Sequence, residues 1–190
     1  MSVRDIIDKK QVLANVRRAE RAQVAGADFL LKRMAADLED RLNTHTRSFG
    51  NTILQSPWAS HSAFSMINAN MDANSVLPNE VVAAQPNSAE LIVDFANLHR
   101  TNDVPGMLVQ YLRALKPDGL FLACVPGADT LHELRTCLTL AESELSDGVH
   151  PRILPFMDVR DAGGLCSERA LHCRLLMSTV SSFGMTRCSI

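Results

Sequence analysis

No stretch of the chain approaches the ~20 consecutive apolar residues that a membrane-spanning helix requires, so no span is expected. Basic surplus is also missing. A formal net charge of -2 and a pI near 6.3 exclude a dedicated nucleic-acid binder, which would carry an excess of Lys and Arg. The one concentrated basic run, "VRRAER" from Val16 to Arg21, is broken by Glu20 and reads as a solvated helix face. No pair of cysteines has the C-x-x-C spacing of a zinc or redox site. Cys124 and Cys137 are expected in strand and helix interiors as small apolar residues, and Cys166, Cys173 and Cys188 follow late in the chain. Neither disulfide nor metal site is expected. No serine sits in a G-x-S-x-G elbow, so a hydrolase using His99 or His132 as base has no motif behind it. The N-terminal "MSVRDIIDKKQV" carries charges throughout and no uninterrupted apolar core, unlike a secretory signal. Its acidic residues are unlike a mitochondrial presequence, and cytoplasm is the expected location.

What is present suits one α/β domain. The chain has 190 residues, 46% of them hydrophobic and 21% charged, enough for a sizeable core. Residues 1–48 form a helical segment. Ile6, Ile7, Val12, Leu13 and Val16 recur at helical spacing. After Gly26, Asp28 is a candidate cap for a second helix with a stripe of Phe29, Leu30, Met34, Leu38 and Leu42. From Phe49 to Pro86 the sequence is rich in Asn, Ser and Ala, and only "NTIL" and "EVVAA" have strand character. Order then returns. Glu90 to Phe95 reads as a buried strand, and "DVPGMLVQYLRAL" as a helix with Pro105 in its first turn. Met107, Leu108, Leu112 and Leu115 lie on its inner face. "KPDG" closes it, with Gly119 available for a positive-φ turn. "LFLACV" is a second buried strand. "DTLHELRTCLTLAESEL" is a long helix capped by Asp129 or Thr130. Asp158 starts a short helical piece. Continuous apolar strands alternating with helices predict a sheet covered on both faces.

Three segments carry a resemblance: "SAELIVDFANLHRTNDVPGMLVQYLRALKPDGLFLA", "GADTLHELRTCLTLAESEL" and "GVHPRILPFMDVRDAGGL". Together they are similar to the class I S-adenosylmethionine-dependent methyltransferases. The branch they resemble holds the biotin-synthesis malonyl-thioester methyltransferases and the methyltransferase-like assembly factors of respiratory complex I. The N-terminal "RAERAQVAGADFLLKRMAADLEDRL" resembles the helical lead-in of that branch. The resemblance implies a Rossmann-like sheet in which Glu90–Phe95 is the fourth strand and "LFLACV" the fifth. Ligands of such sheets lie beyond the carboxyl ends of the strands. Asn97, Leu98 and His99 are thereby placed at the cofactor, and Gly127 and Thr130 on a substrate-side lip suited to a carboxylate or other anion. Where the family tends to have Trp after Leu-His, this chain has Arg100.

The family holds its cofactor with a glycine-rich turn after the first strand and an acidic residue at the end of the second. Here no glycine occurs between Gly50 and Gly106, and Asp72 is the one carboxylate ahead of Glu80 that could face a ribose. The segment before Glu90 is too short for the usual strands and helices, so an incomplete sheet with an unpaired edge is expected, and with it self-association or a protein partner. Residues 49–165 form the methyltransferase-like domain and 166–190 an irregular tail. Read two bases later, suitable codons for "LLMSTVSSFGMT" spell an alternating strand, so the chain is expected to leave its ancestral reading frame near Cys166 to Cys173. Two functions follow from the resemblance. One is methyl transfer from S-adenosylmethionine to a small acidic metabolite thioester or a protein. The other is a non-catalytic remnant acting as an assembly or scaffold protein.

Overall fold

A computed structural model describes residues 5–43, 47–58, 72–75, 80–146, 148–153 and 156. The helical piece expected from Asp158 and the tail 166–190 lie outside them. Four parallel strands form the sheet, in the order β2-β1-β3-β4. They are β1 (Thr52–Ser56), β2 (Asp72–Ser75), β3 (Ala89–Phe95) and β4 (Leu115–Cys124). The helices are α1 (Lys9–Ala22), α2 (Phe29–Asn43), α3 (Val104–Ala114) and α4 (His132–Leu145).

Alternation along the strands builds two apolar layers, because successive side chains of a strand point to opposite faces. Leu54, Leu91, Val93, Phe95, Leu122 and Cys124 pack with Met34, Ala35 and Leu38 of α2. Ile53, Ile92, Phe121, Ala123 and Val125 pack with Met107, Leu108 and Tyr111 of α3. The sheet is thus covered on both faces, as its apolar strands predict. The stripe of α2 runs through Leu30, Leu31, Met34, Ala35, Leu38 and Leu42, one step round the helix from the expected one. Phe29 falls off its edge and is 51% exposed.

Helix α1 contributes little core. Asp8 caps it, its Oδ1 accepting from the amides of Lys10 (2.9 Å) and Gln11 (3.1 Å). Of the expected apolar cluster only Val16 is buried, and Ile6 is 80% exposed. Arg17, Arg18 and Arg21 are exposed, so the basic run is a solvated face. Asn102 ties this end down: its Oδ1 accepts from the amides of Ile6 and Ile7, both at 2.9 Å.

Several expectations are corrected. "EVVAA" is not a strand; the amide of Val82 donates to Gln110 Oε1 at 2.9 Å, and Gln110 Nε2 donates to the carbonyl of Glu80 at 2.9 Å. The side chain of α3 has taken the place of a neighbouring strand. "KPDG" is no free turn either. Helix α3 passes directly into β4, and between the pairs Ala89↔Leu115 and Leu91↔Leu120 the longer strand bulges. Gly119 has no positive φ. It serves close approach instead: a Cβ there would lie 2.8 Å from Leu115 Cδ2, 3.0 Å from the carbonyl of Lys116 and 3.2 Å from that of Ala89. Neither Asp129 nor Thr130 caps α4, whose N-cap is Leu131 with φ 58° and no side-chain cap. Cys137 on that helix is exposed, whereas Cys124 is buried as expected. Among the described residues two strands precede β3, fewer than the three usual in the family, as the short segment before Glu90 predicts.

Candidate functional site

β1 has β2 on one side and β3 on the other, so the chain reverses its direction of travel across the sheet after β2. The gap between the carboxyl ends of β1 and β3 is therefore the topological switch point, where ligands of open parallel sheets bind. Ser56, Pro57 and Trp58 arrive there from β1, and the turn after Phe95 arrives from β3.

One buried carboxylate shapes that second turn. Asp94 lies on the α3 face of β3 with no exposed surface. Its Oδ2 accepts from Tyr111 Oη (2.5 Å) and Asn97 Nδ2 (2.8 Å), and its Oδ1 from the amide of Leu98 (3.0 Å). Burial pushes its pKa up to about 6, against the opposing pull of Asn97 and Tyr111. Burial likewise holds the Tyr111 phenol well above its ordinary range, with the Asp94 charge adding to it. Ala96 sits between these anchors at φ 51°, a left-handed conformation that L-residues rarely adopt. Its amide donates to the carbonyl of Cys124 at 2.8 Å, which ties the turn to β4. The result is a short 3-10 turn, Leu98–Arg100.

This turn presents His99 and Arg100. Burial, with the Arg100 charge second, depresses the His99 pKa to about 3, so its ring is neutral. Arg100 Nε donates to His99 Nε2 at 3.1 Å. The imidazole proton must then sit on Nδ1, and that buried atom has no partner among the described residues. The His99 ring lies 6.1 Å from that of Phe156. The guanidinium carbon of Arg100 lies 5.8 Å from the centroid of Trp58, a cation–π contact. Burial lowers the Arg100 pKa from its ordinary value. Trp58 Nε1, Thr130 Oγ1 and Arg135 Nη2 are also buried without a partner among the described residues.

The residues expected at the site fall out unequally. Asn97 and Leu98 are buried and engaged inward, Asn97 on Asp94 and Leu98 in the core against α3. His99 faces a place where its proton has no acceptor. Gly127 accepts the amide of Thr130 at 3.0 Å in the turn after β4, the strand neighbouring β3. Asp72 is the first residue of β2, opposite Ile53, and the carboxyl end of that strand is Ser75. The resemblance would put an acidic residue at that carboxyl end. Sequence reasoning passed over Trp58 and Asp94. A charge inside an apolar strand was the available signal for Asp94; Trp58 had none until β1 placed it. No group of three or more His, Cys, Asp or Glu that could hold a metal occurs among the described residues.

No family model matches the chain. It is 39% identical over 121 residues to the mouse (Mus musculus) protein named arginine-hydroxylase NDUFAF5, mitochondrial, across 63% of this chain and 35% of that protein. It is 33% identical over 84 residues to a Rickettsia prowazekii (strain Madrid E) protein named provisionally as a methyltransferase, across 43% of this chain and 36% of that one. The chain thus spans little more than a third of these relatives' length. Among solved structures it is similar to a SAM-dependent methyltransferase of Thermotoga maritima, with a TM-score of 0.54 and 11% identity, over 85% of this chain and 80% of that one. The resemblance read in the sequence is borne out, and the fold is the Rossmann-like fold of SAM-dependent methyltransferases with helices at its N-terminus.

Proposed function

We propose that this methyltransferase-like chain binds S-adenosylmethionine beyond the carboxyl ends of β1 and β3 and presents it to an acidic acceptor, a small metabolite thioester or a protein. The observation that carries the reading is the switch point itself, with Trp58 Nε1 and His99 Nδ1, two buried donors without partners among the described residues, following the two strands that flank it. A buried donor left unpaired costs about 1–3 kcal/mol, and a ligand acceptor offsets that cost. The fit is through side chains. The segment leaving β1, Ser56-Pro57-Trp58, has no glycine to let the backbone close on a ligand. His99 would contact the cofactor, with Asp94, Asn97 and Leu98 fixing its turn, and Gly127 and Thr130 would border the acceptor. When bound, the cofactor supplies an electrophilic methyl group. The chain's own part is to position and to exclude water, so no catalytic base is required of it.

Calorimetric titration with S-adenosylmethionine tests this. Saturable binding that weakens about tenfold in His99→Ala is expected, on the scale of one buried hydrogen bond. A folded protein with no heat of binding would remove the reading. That result would favour a second one, a scaffold that holds a partner protein, which the glycine-free turn after β1 supports. An open sheet edge would be its docking strand.

A further inference from the structure

Arg100 holds its guanidinium over Trp58 at the switch point, and among the described residues no carboxylate answers its charge. Its only side-chain hydrogen bond among them runs from Nε to His99 Nε2. It is partly buried and lies over Trp58, so its position is fixed by a ring below and an imidazole beside it. Both terminal Nη groups are left over. A partly buried cation without a counter-charge is costly unless something supplies the charge.

Other donors at the ends of the strands extend the pattern. His99 Nδ1, with its proton, can only donate, and so can Trp58 Nε1 and Arg135 Nη2. Thr130 Oγ1 can donate as well. These are the buried side-chain polar atoms without a partner among the described residues. Trp58, His99 and Thr130 follow β1, β3 and β4 in turn, and Arg135 lies in the helix that Thr130's turn leads into. A cation or a ligand rich in N–H groups would leave this set of donors unsatisfied. An oxyanion would satisfy several at once, and a guanidinium matches the planar geometry of a carboxylate.

We infer that Arg100 anchors a ligand carboxylate at the switch point, with His99 Nδ1–H and Trp58 Nε1–H as flanking donors. The inference uses the ligand-binding end assigned above, but not the identity of the cofactor. Two sources have this chemistry: the amino-acid carboxylate of S-adenosylmethionine and the carboxylate of an acidic acceptor.

Trp58 is the single tryptophan, so its emission reports on the site directly. The 190-residue protein would be titrated with sodium malonate against sodium chloride of equal ionic strength. A saturable change with malonate alone is expected. Calorimetry would then compare malonate, S-adenosylmethionine and methylthioadenosine, which lacks the carboxylate, on wild type, R100Q and R100K. In R100Q the Kd of at least one carboxylate ligand should rise about tenfold or more, with partial recovery in R100K. If S-adenosylmethionine weakens while methylthioadenosine does not, the carboxylate is the cofactor's. If malonate alone weakens, it is the acceptor's. Should R100Q lose its circular dichroism spectrum, R100K carries the comparison, since it keeps the charge but not the fork. Binding of both carboxylates unaffected by the substitution, or no saturable response to either, overturns the assignment. Malonate binding without S-adenosylmethionine binding would sink the proposed function and leave this inference standing.

Discussion

At the scale of single residues, two buried ionisable groups, Asp94 near the end of β3 and His99 in the turn that follows, pull stability in opposite directions with pH. Asp94 has its pKa raised to about 6. Between about pH 4 and 6 the folded chain keeps a proton that the unfolded chain gives up, so stability falls as pH rises through that window. The expected loss is on the order of 2–3 kcal/mol, and urea titrations of Asp94→Asn should show that slope gone. An unchanged slope would mean that Asp94 is not the proton holder. His99 has its pKa depressed to about 3, so its contribution is present above about pH 6.5 and is lost as pH falls toward 3. His99→Gln should flatten that acid limb relative to wild type. Gly119 offers a steric counterpart. Gly119→Ala places a Cβ within 3.0 Å of a backbone carbonyl and should cost about 1–3 kcal/mol, the usual range for overpacking. Gly26 has φ +76° but open space around it, so Gly26→Ala carries backbone strain alone.

At the scale of elements, the sequence was legible wherever pattern and packing agree. The strand read from "ELIVDF" and the helix read from "DVPGMLVQYLRAL" are both present as β3 and α3, because an apolar run and a capped amphipathic stretch each have one stable use. Asp103 caps α3 by accepting the Gly106 amide at 2.8 Å. Asp103→Ala should therefore cost about 1 kcal/mol in chemical denaturation; no change would deny the cap. Legibility failed where tertiary partners decide. "EVVAA" has strand composition, yet Gln110 claims the backbone groups of Glu80 and Val82. "KPDG" has turn composition, yet pairing with β3 keeps it in the strand as a bulge. At the candidate site, the position of His99 in the turn after β3 was readable from its place after a strand. Trp58 and Arg100 meet only because β1 and β3 are neighbours, which no local pattern states.

For the whole molecule, the sheet decides where chemistry can happen and where partners can add. Its order puts the switch point between β1 and β3, and β2 and β4 each pair on one side only among the described residues. An edge strand with free backbone groups invites another strand. Light scattering after size exclusion should therefore show mass rising with concentration; a monodisperse monomer across the range would argue against an open edge in solution. The central claim, that the carboxyl ends of β1 and β3 form the ligand site, is tested most directly by amide chemical-shift mapping on isotope-labelled protein titrated with S-adenosylhomocysteine. The account predicts shifts confined to Trp58, the Asn97–Arg100 turn and the Gly127–Thr130 turn. Shifts at the opposite end of the sheet, around Gly50 and Lys116, or none at saturating ligand, would contradict it.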